Sequence, residues 1–226
     1  FQPQEGEPGA VSSLRPSLLG FIADEGADST ALHLATQLAR TYLKDPRAVD
    51  PSLVGTCLSL AAIHGDKALF DTYVERFENA PTPVERSRFL SALGYFHDDS
   101  LIARALSLAL SDKLRPQEHS AIPMTIAGQS PWRADQVFDW LMANYDTVVA
   151  WLPPPSRAFL VFFAGGCSQE RLDKAKAFFG RPEHQGPGIE HRLARVTEGV
   201  EDCVDLRERE GEAVNSLLAQ YGDSKR

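Results

Sequence analysis

Six histidines and three cysteines are the residues of this chain best suited to ligate a metal or attack a substrate. His33, His64, His97, His119, His184 and His191 include no HExxH arrangement. That spacing stacks two imidazoles one helical turn apart with a glutamate as general base. The nearest grouping is Glu183-His184 with Glu190-His191, but Gly186-Pro187-Gly188 lies between the pairs and nothing holds four groups around one point. A solvated loop and helix start are expected there rather than a metal centre. Cys57, Cys167 and Cys203 have no CxxC spacing, and an odd count is no disulfide framework. Small buried thiols are expected, with one bridge left open. Gly165-Gly166-Cys167-Ser168 lacks the GxxxxGK[ST] spacing of a phosphate loop and reads as a turn between helices. No GxSxG nucleophile elbow occurs. The mixed-sign run from Arg207 to Glu212 reads as a solvated helix face. Trp132, Trp140 and Trp151 are expected in interhelix packing rather than as a ligand platform. These residues lead to no catalytic group and no metal ligand set.

The elements that would position any chemistry are helical throughout. Leu14, Leu18, Phe21 and Ile22 share the face of a first helix ending before Gly26. Asp28 or Ser29 caps a second helix, which Pro46 stops, and Asp50-Pro51 opens a third. Asp66, Thr82-Pro83 and Asp98 or Asp99 open three more. Arg115-Pro116 opens a seventh through Ile122 and Ile126, with Pro123 as a kink or early stop. Ser130-Pro131 then begins the most aromatic stretch, carrying Val137, Phe138, Trp140, Leu141 and Met142, followed by Val148, Val149, Trp151 and Leu152. Ser156 to Phe163 reads as a short apolar helix, and Ser168 caps the next one. Ile189 to Val204 and Ala213 to Tyr221 read as two final helices. No segment sustains period-2 alternation, so the fold class is all-α. Short turns between helices imply antiparallel pairs, stacked as a HEAT- or armadillo-like curved superhelix.

Residues 1–12 are rich in Pro, Gly and Glu and read as a linker or frayed end, leaving 13–226 as a single α-helical domain. A chain of 226 residues buries roughly 70–75 % of its unfolded surface, so its core needs no staple. The net charge of −8 and a pI near 5.3 argue against nucleic acid as a partner, because phosphate neutralisation needs clustered Lys and Arg. Mean hydropathy is −0.24 and no apolar run approaches the ~20 residues of a membrane span, so no membrane role is expected. Phe1-Gln2-Pro3-Gln4 offers neither an initiator Met nor a signal-like segment, which suggests processing or a piece of something longer. The compartment, cytoplasmic or exported, stays open.

Several stretches in order resemble the C-terminal helical domain of zinc-dependent aminopeptidases, the family of aminopeptidase N, puromycin-sensitive aminopeptidase and the endoplasmic-reticulum aminopeptidases. They are Asp50-Pro51-Ser52-Leu53, the Gly65-Asp66 break, Glu85 to Gly94, and Lys113-Leu114-Arg115-Pro116-Gln117. Val137 to Leu141 with Asn144-Tyr145-Asp146, Leu172 to Phe179, and Ile189 to Leu206 complete the series. Ser130-Pro131-Trp132-Arg133 departs from the family's Asn-x-x-Gly, and a family Trp is replaced near Asp205.

The resemblance implies a cap domain that encloses an active-site chamber and helps select peptides. The zinc site and the GxMEN motif would then lie in an earlier catalytic domain of the same parent chain. This stretch would hold no cofactor, and would be inactive alone. Its partners would be that catalytic domain and peptide substrates. On the same resemblance Arg115, Gln117, Gln129 and Arg133 are candidates to face the chamber, where a cation could meet a peptide carboxylate; solvent-facing helix ends are the other placement open to them. A free-standing HEAT-like scaffold that binds a protein or peptide is the alternative function.

Overall fold

The computed structural model describes residues 6–223. Eleven α-helices run through them: α1 (Gly9–Ala23), α2 (Ser29–Lys44), α3 (Val54–Ile63), α4 (Lys67–Glu78), α5 (Pro83–Ala92), α6 (Asp99–Ala109), α7 (Ala121–Gln129), α8 (Pro131–Ala143), α9 (Tyr145–Trp151), α10 (Gln169–Phe179) and α11 (Ile189–Asp223). Short 3-10 helices occupy Pro46–Ala48, Leu93–Tyr95, Pro154–Ala164 and Pro182–His184. No strand occurs among the described residues, and the protein is all-α.

Local chemistry sets most helix starts. Asp28 accepts from the Ala31 amide at 2.8 Å, Asp66 from Leu69 at 2.9 Å and Thr82 from Glu85 at 3.2 Å. Asp98, rather than Asp99, accepts from Ser100 and Leu101. Ser130 and Ser168 accept from the Arg133 and Arg171 amides, each at 3.2 Å. Each such cap satisfies an orphan amide and contributes about 1 kcal/mol.

Four elements differ from expectation. First, α1 begins at Gly9, inside the stretch read as a linker, with Pro8 extended just before it. Residues 1–5 of that stretch lie outside the described residues. Second, α7 begins at Ala121, and Arg115-Pro116 falls in turns. A residue preceding proline avoids helical angles, and the Glu118 carboxylate accepts from the Arg115 amide at 2.9 Å, which fixes the turn. Pro123 then lies in the first turn of α7, where its missing N–H leaves no bond unmade. Third, Ser156 to Phe163 is 3-10 rather than α, following the Pro153-Pro154-Pro155 run that removes three consecutive donors. Fourth, the two final helices are one continuous α11; no proline interrupts it, and the Gly211 interior costs only about 1 kcal/mol.

Packing divides the chain into two compact units, Phe1–Ile126 and Ala127–Arg226, with the division inside α7. In the first unit an aromatic cluster centres on the fully buried Tyr73, Phe70 and Phe96. Tyr73 meets Phe89 and Phe96 edge-on at 5.5 and 5.8 Å, and its hydroxyl donates to the Leu58 carbonyl at 3.0 Å. Burial pushes the Tyr73 hydroxyl well above its ordinary pKa.

The second unit buries Val137, Phe138 and Leu141 of α8, Leu172, Ala175 and Phe179 of α10, and Ile189, Val196 and Val200 of α11. Cys167, just before α10, is bonded to Cys203 of α11 across 36 residues, with Cα atoms 5.3 Å apart. Of the three thiols only Cys57 is free and buried, as expected for all three. Trp132 also departs from the packing role expected of it: it is 57 % exposed, and the guanidinium of Arg133 lies 4.1 Å over its ring.

Candidate functional site

The first unit carries a groove of about 630 Å³ lined by residues of four helices, α1, α3, α5 and α7, where rows of mostly small residues run beside Phe21 and Leu60. On α1 the stripe is Pro16, Ser17, Gly20 and Asp24; on α3 it is Gly55, Thr56, Ser59 and Ile63. On α5 it is Ser87, Arg88 and Ser91, continued by Tyr95 in the 3-10 turn that follows. Spacings of three and four place each set on one side of its helix. Small side chains allow the helices to approach: a Cβ on Gly20 would sit 3.6 Å from Thr56 Cγ2. At Gly94 the approach is tighter, since a Cβ there would lie 2.7 Å from the Cβ of Thr125, the α7 residue that lines the groove.

The lining is rich in hydroxyls, each both a donor and an acceptor. Arg88 supplies the cation, and its Nη2 donates to the Pro51 carbonyl at 2.6 Å, which anchors the guanidinium at the groove's edge. Beside it, burial and the bond from its hydroxyl to Glu85 at 3.0 Å push Tyr42 above the ordinary tyrosine pKa, while Arg88 pulls it back. Asp24 and Glu25 contribute negative charge on the α1 side. Such a surface suits an extended polar ligand, with hydroxyls for main-chain amides and a guanidinium for a carboxylate.

The four residues singled out by resemblance do not line this groove. Arg115 and Gln117 lie exposed in the turns between α6 and α7, in the first unit. Gln129 ends α7, and Arg133 lies in the first turn of α8, both in the second unit. Arg133 Nη1 donates to Gln136 Oε1 at 2.8 Å while the guanidinium covers Trp132, so this side chain is engaged with its own helix. The structure thus places Arg115 and Gln117 in the first unit and Gln129 and Arg133 in the second. Sequence reasoning missed the groove residues; the signal that could have found them is Ser87, Ser91 and Tyr95 four apart and Thr56 and Ser59 three apart. A stripe of small polar residues draws less notice than an apolar one, because it also marks an ordinary solvated face.

Among the described residues no three His, Cys, Asp or Glu side chains are grouped to hold a metal ion. No helix is long and apolar enough to cross a membrane among the described residues. Cys57 is no nucleophile: burial pushes its thiol up to about 12, so the thiolate is scarce near neutral pH.

Residues 1–202 match the family described as the ERAP1-like C-terminal domain. Similar proteins include Aminopeptidase 2 of Candida albicans, 22 % identical over 181 residues that cover 78 % of this chain and 20 % of that protein. Aminopeptidase N of Lactococcus lactis is 24 % identical over 227 residues, covering 98 % of this chain and 26 % of the relative. Leucyl aminopeptidase of Saccharolobus solfataricus is 29 % identical over 89 residues, 38 % of this chain and 11 % of the relative. The chain spans about a quarter or less of the length of these curated relatives.

Proposed function

The chain belongs to the ERAP1-like C-terminal domain family, and on that footing we propose that it is the helical cap domain of a zinc-dependent aminopeptidase. In this reading residues 13–226 form one C-terminal domain, a HEAT-like stack of helix pairs that encloses the chamber of a catalytic domain in the same parent chain. Zinc belongs to that catalytic domain and supplies the hydrolytic chemistry there. The present residues contribute enclosure and positioning, which lower the barrier by holding a peptide near its reactive geometry. Opening and closing of the cap admits peptides and releases products.

The observation that supports this reading is the hydroxyl-lined groove with Arg88 at its edge. A peptide main chain finds donors and acceptors in Ser59, Ser87, Ser91 and Thr56, and Arg88 offers a charge-assisted bond to a carboxylate. Arg115, Gln117, Gln129 and Arg133 remain proposed chamber residues, secondary to the groove.

The test is kinetic and uses the parent polypeptide. Arg88→Ala is expected to raise KM several-fold for peptides of eight or more residues and leave KM for a single aminoacyl anilide unchanged. Equal KM values for both substrates in wild type and variant would overturn the groove as a peptide site. A parent protein that releases no N-terminal residue from any peptide would overturn the aminopeptidase reading itself.

A further inference from the structure

A second cavity in the first unit, of about 300 Å³, lies between the ends of α2 and α4 and the start of α5. Its volume sits at the lower end of the range for small-ligand sites. The buried rings of Tyr42 and Phe89, with centroids 6.2 Å apart, give it an apolar wall together with Pro46. Three charged side chains line it: Glu75 and Arg76 near the end of α4, and Glu85 in the first turn of α5. The fold already holds two of them in place. Glu85 Oε1 accepts from the Tyr42 hydroxyl at 3.0 Å and Oε2 from the Thr82 hydroxyl at 3.3 Å, which leaves about half of the carboxylate's acceptor sites open. Arg76 Nη2 donates to the Leu43 carbonyl at 2.5 Å, which anchors the guanidinium and leaves most of its N–H donors free.

We propose that this cavity is a binding site for a free α-amino acid. The charges select the ligand. Two carboxylates stand against one guanidinium, so a simple anion meets net repulsion. A simple amine satisfies Glu75 and Glu85 and leaves the anchored guanidinium of Arg76 without an acceptor. A zwitterion uses both signs: its ammonium reaches the carboxylates, and its carboxylate accepts the charge-assisted bonds that a guanidinium offers. The rings of Tyr42 and Phe89 leave an apolar wall for the amino-acid side chain. Because Glu85 and Arg76 are anchored beforehand, little side-chain freedom is lost on binding. Arg88, which also approaches the Tyr42 hydroxyl, lines the groove and not this cavity, and the two sites share no lining residue. The site goes beyond the cap-domain reading and follows from the cavity alone. On that reading its ligand is also the class of molecule that the parent enzyme releases.

An amide NMR titration of the present chain tests the proposal, with L-leucine, leucinamide and N-acetylleucine as probes. Leucine is expected to give saturable shifts at residues 42–46 and 72–85, with a Kd of about 1–10 mM, as befits so small a ligand. Leucinamide lacks the carboxylate and N-acetylleucine lacks the ammonium, so each should bind at least tenfold more weakly. Arg76→Gln, an exposed position, should bind leucine and leucinamide alike while N-acetylleucine stays weak. No saturable shift up to about 50 mM leucine would overturn the proposal. So would equal binding of leucine and leucinamide by the unsubstituted chain, which would make this an amine site, or a preference for leucine that survives Arg76→Gln. The three-probe comparison needs no variant, so it stands even where the substitution disturbs folding. The titration involves no catalysis: an empty cavity leaves the cap-domain reading untouched, and an inactive parent leaves the amino-acid site untouched.

Discussion

Arg86 and Glu118 form a two-pronged ion pair, with Nε to Oε1 at 2.8 Å and Nη2 to Oε2 at 2.9 Å. The same guanidinium donates to the carbonyls of Phe77 at 3.2 Å and Lys113 at 2.8 Å and lies 3.9 Å over the Phe77 ring. Glu118 meanwhile accepts from the Arg115 amide. One residue of α5 thereby ties the end of α4 to the turns before α7, where Arg115 and Gln117 lie.

Glu118→Gln should cost about 2 kcal/mol, because a nearly buried guanidinium loses its charged partner. Arg86 holds the Glu118 carboxyl below its ordinary value of 4.5, against the smaller opposing effect of burial. A depressed acid contributes stability above the unfolded value and loses it as pH falls through the folded one. Urea midpoints measured from pH 6 downward should therefore fall below about pH 4.5, and fall less in Glu118→Gln.

Gly94→Ala should destabilise by about 1–3 kcal/mol, since its Cβ would meet Thr125 Cβ at 2.7 Å and the Ile122 carbonyl at 3.2 Å. Gly55→Ala is the matched control: nothing lies within 4 Å of its Cβ, and in the first turn of α3 alanine loses less backbone freedom on folding, an effect of about 0.4–1 kcal/mol. Thermal unfolding should move the two midpoints in opposite directions.

Gly166→Ala should loosen the start of α10. Gly166 has φ +110°, and a Cβ there would lie 2.6 Å from Arg171 Nη2. Arg171 is 3 % exposed, pairs with Asp135 and donates to the Gly165 carbonyl at 2.6 Å, so displacing it breaks a buried charge from its partners. A loss of about 1–3 kcal/mol, read by denaturant unfolding, is expected, because a left-handed φ strains any side chain placed there.

Cys203→Ser should lower the stability of the second unit by about 3–4 kcal/mol, the chain-entropy expectation for a closed loop of 36 residues. A thiol reagent should find no fast-reacting group in the native protein and one thiol, Cys57, after denaturation without reductant. Two further thiols should appear only once a dithiol reductant is added.

Helix content and most helix starts were written locally. Asp28, Asp66, Thr82, Asp98, Ser130 and Ser168 each precede an apolar period and each accepts a backbone amide where the helix opens. Family membership was also legible, because the order of helical stretches survives at low identity. Capping and periodicity operate over three or four residues, which is the range that a reading along the chain perceives directly.

What the chain alone did not reveal depends on residues far apart in sequence. Whether Cys167 meets Cys203 is decided by how α11 passes the start of α10, since thiol spacing carries no geometry. The groove requires Ser17, Thr56, Ser91 and Thr125 to converge from four helices, and none of the four is distinctive by itself. The apolar face of α1 reads in sequence like any core stripe. Only the packed structure separates the half that α2 and α3 cover from the half left open, because burial is a property of neighbours and not of residue type.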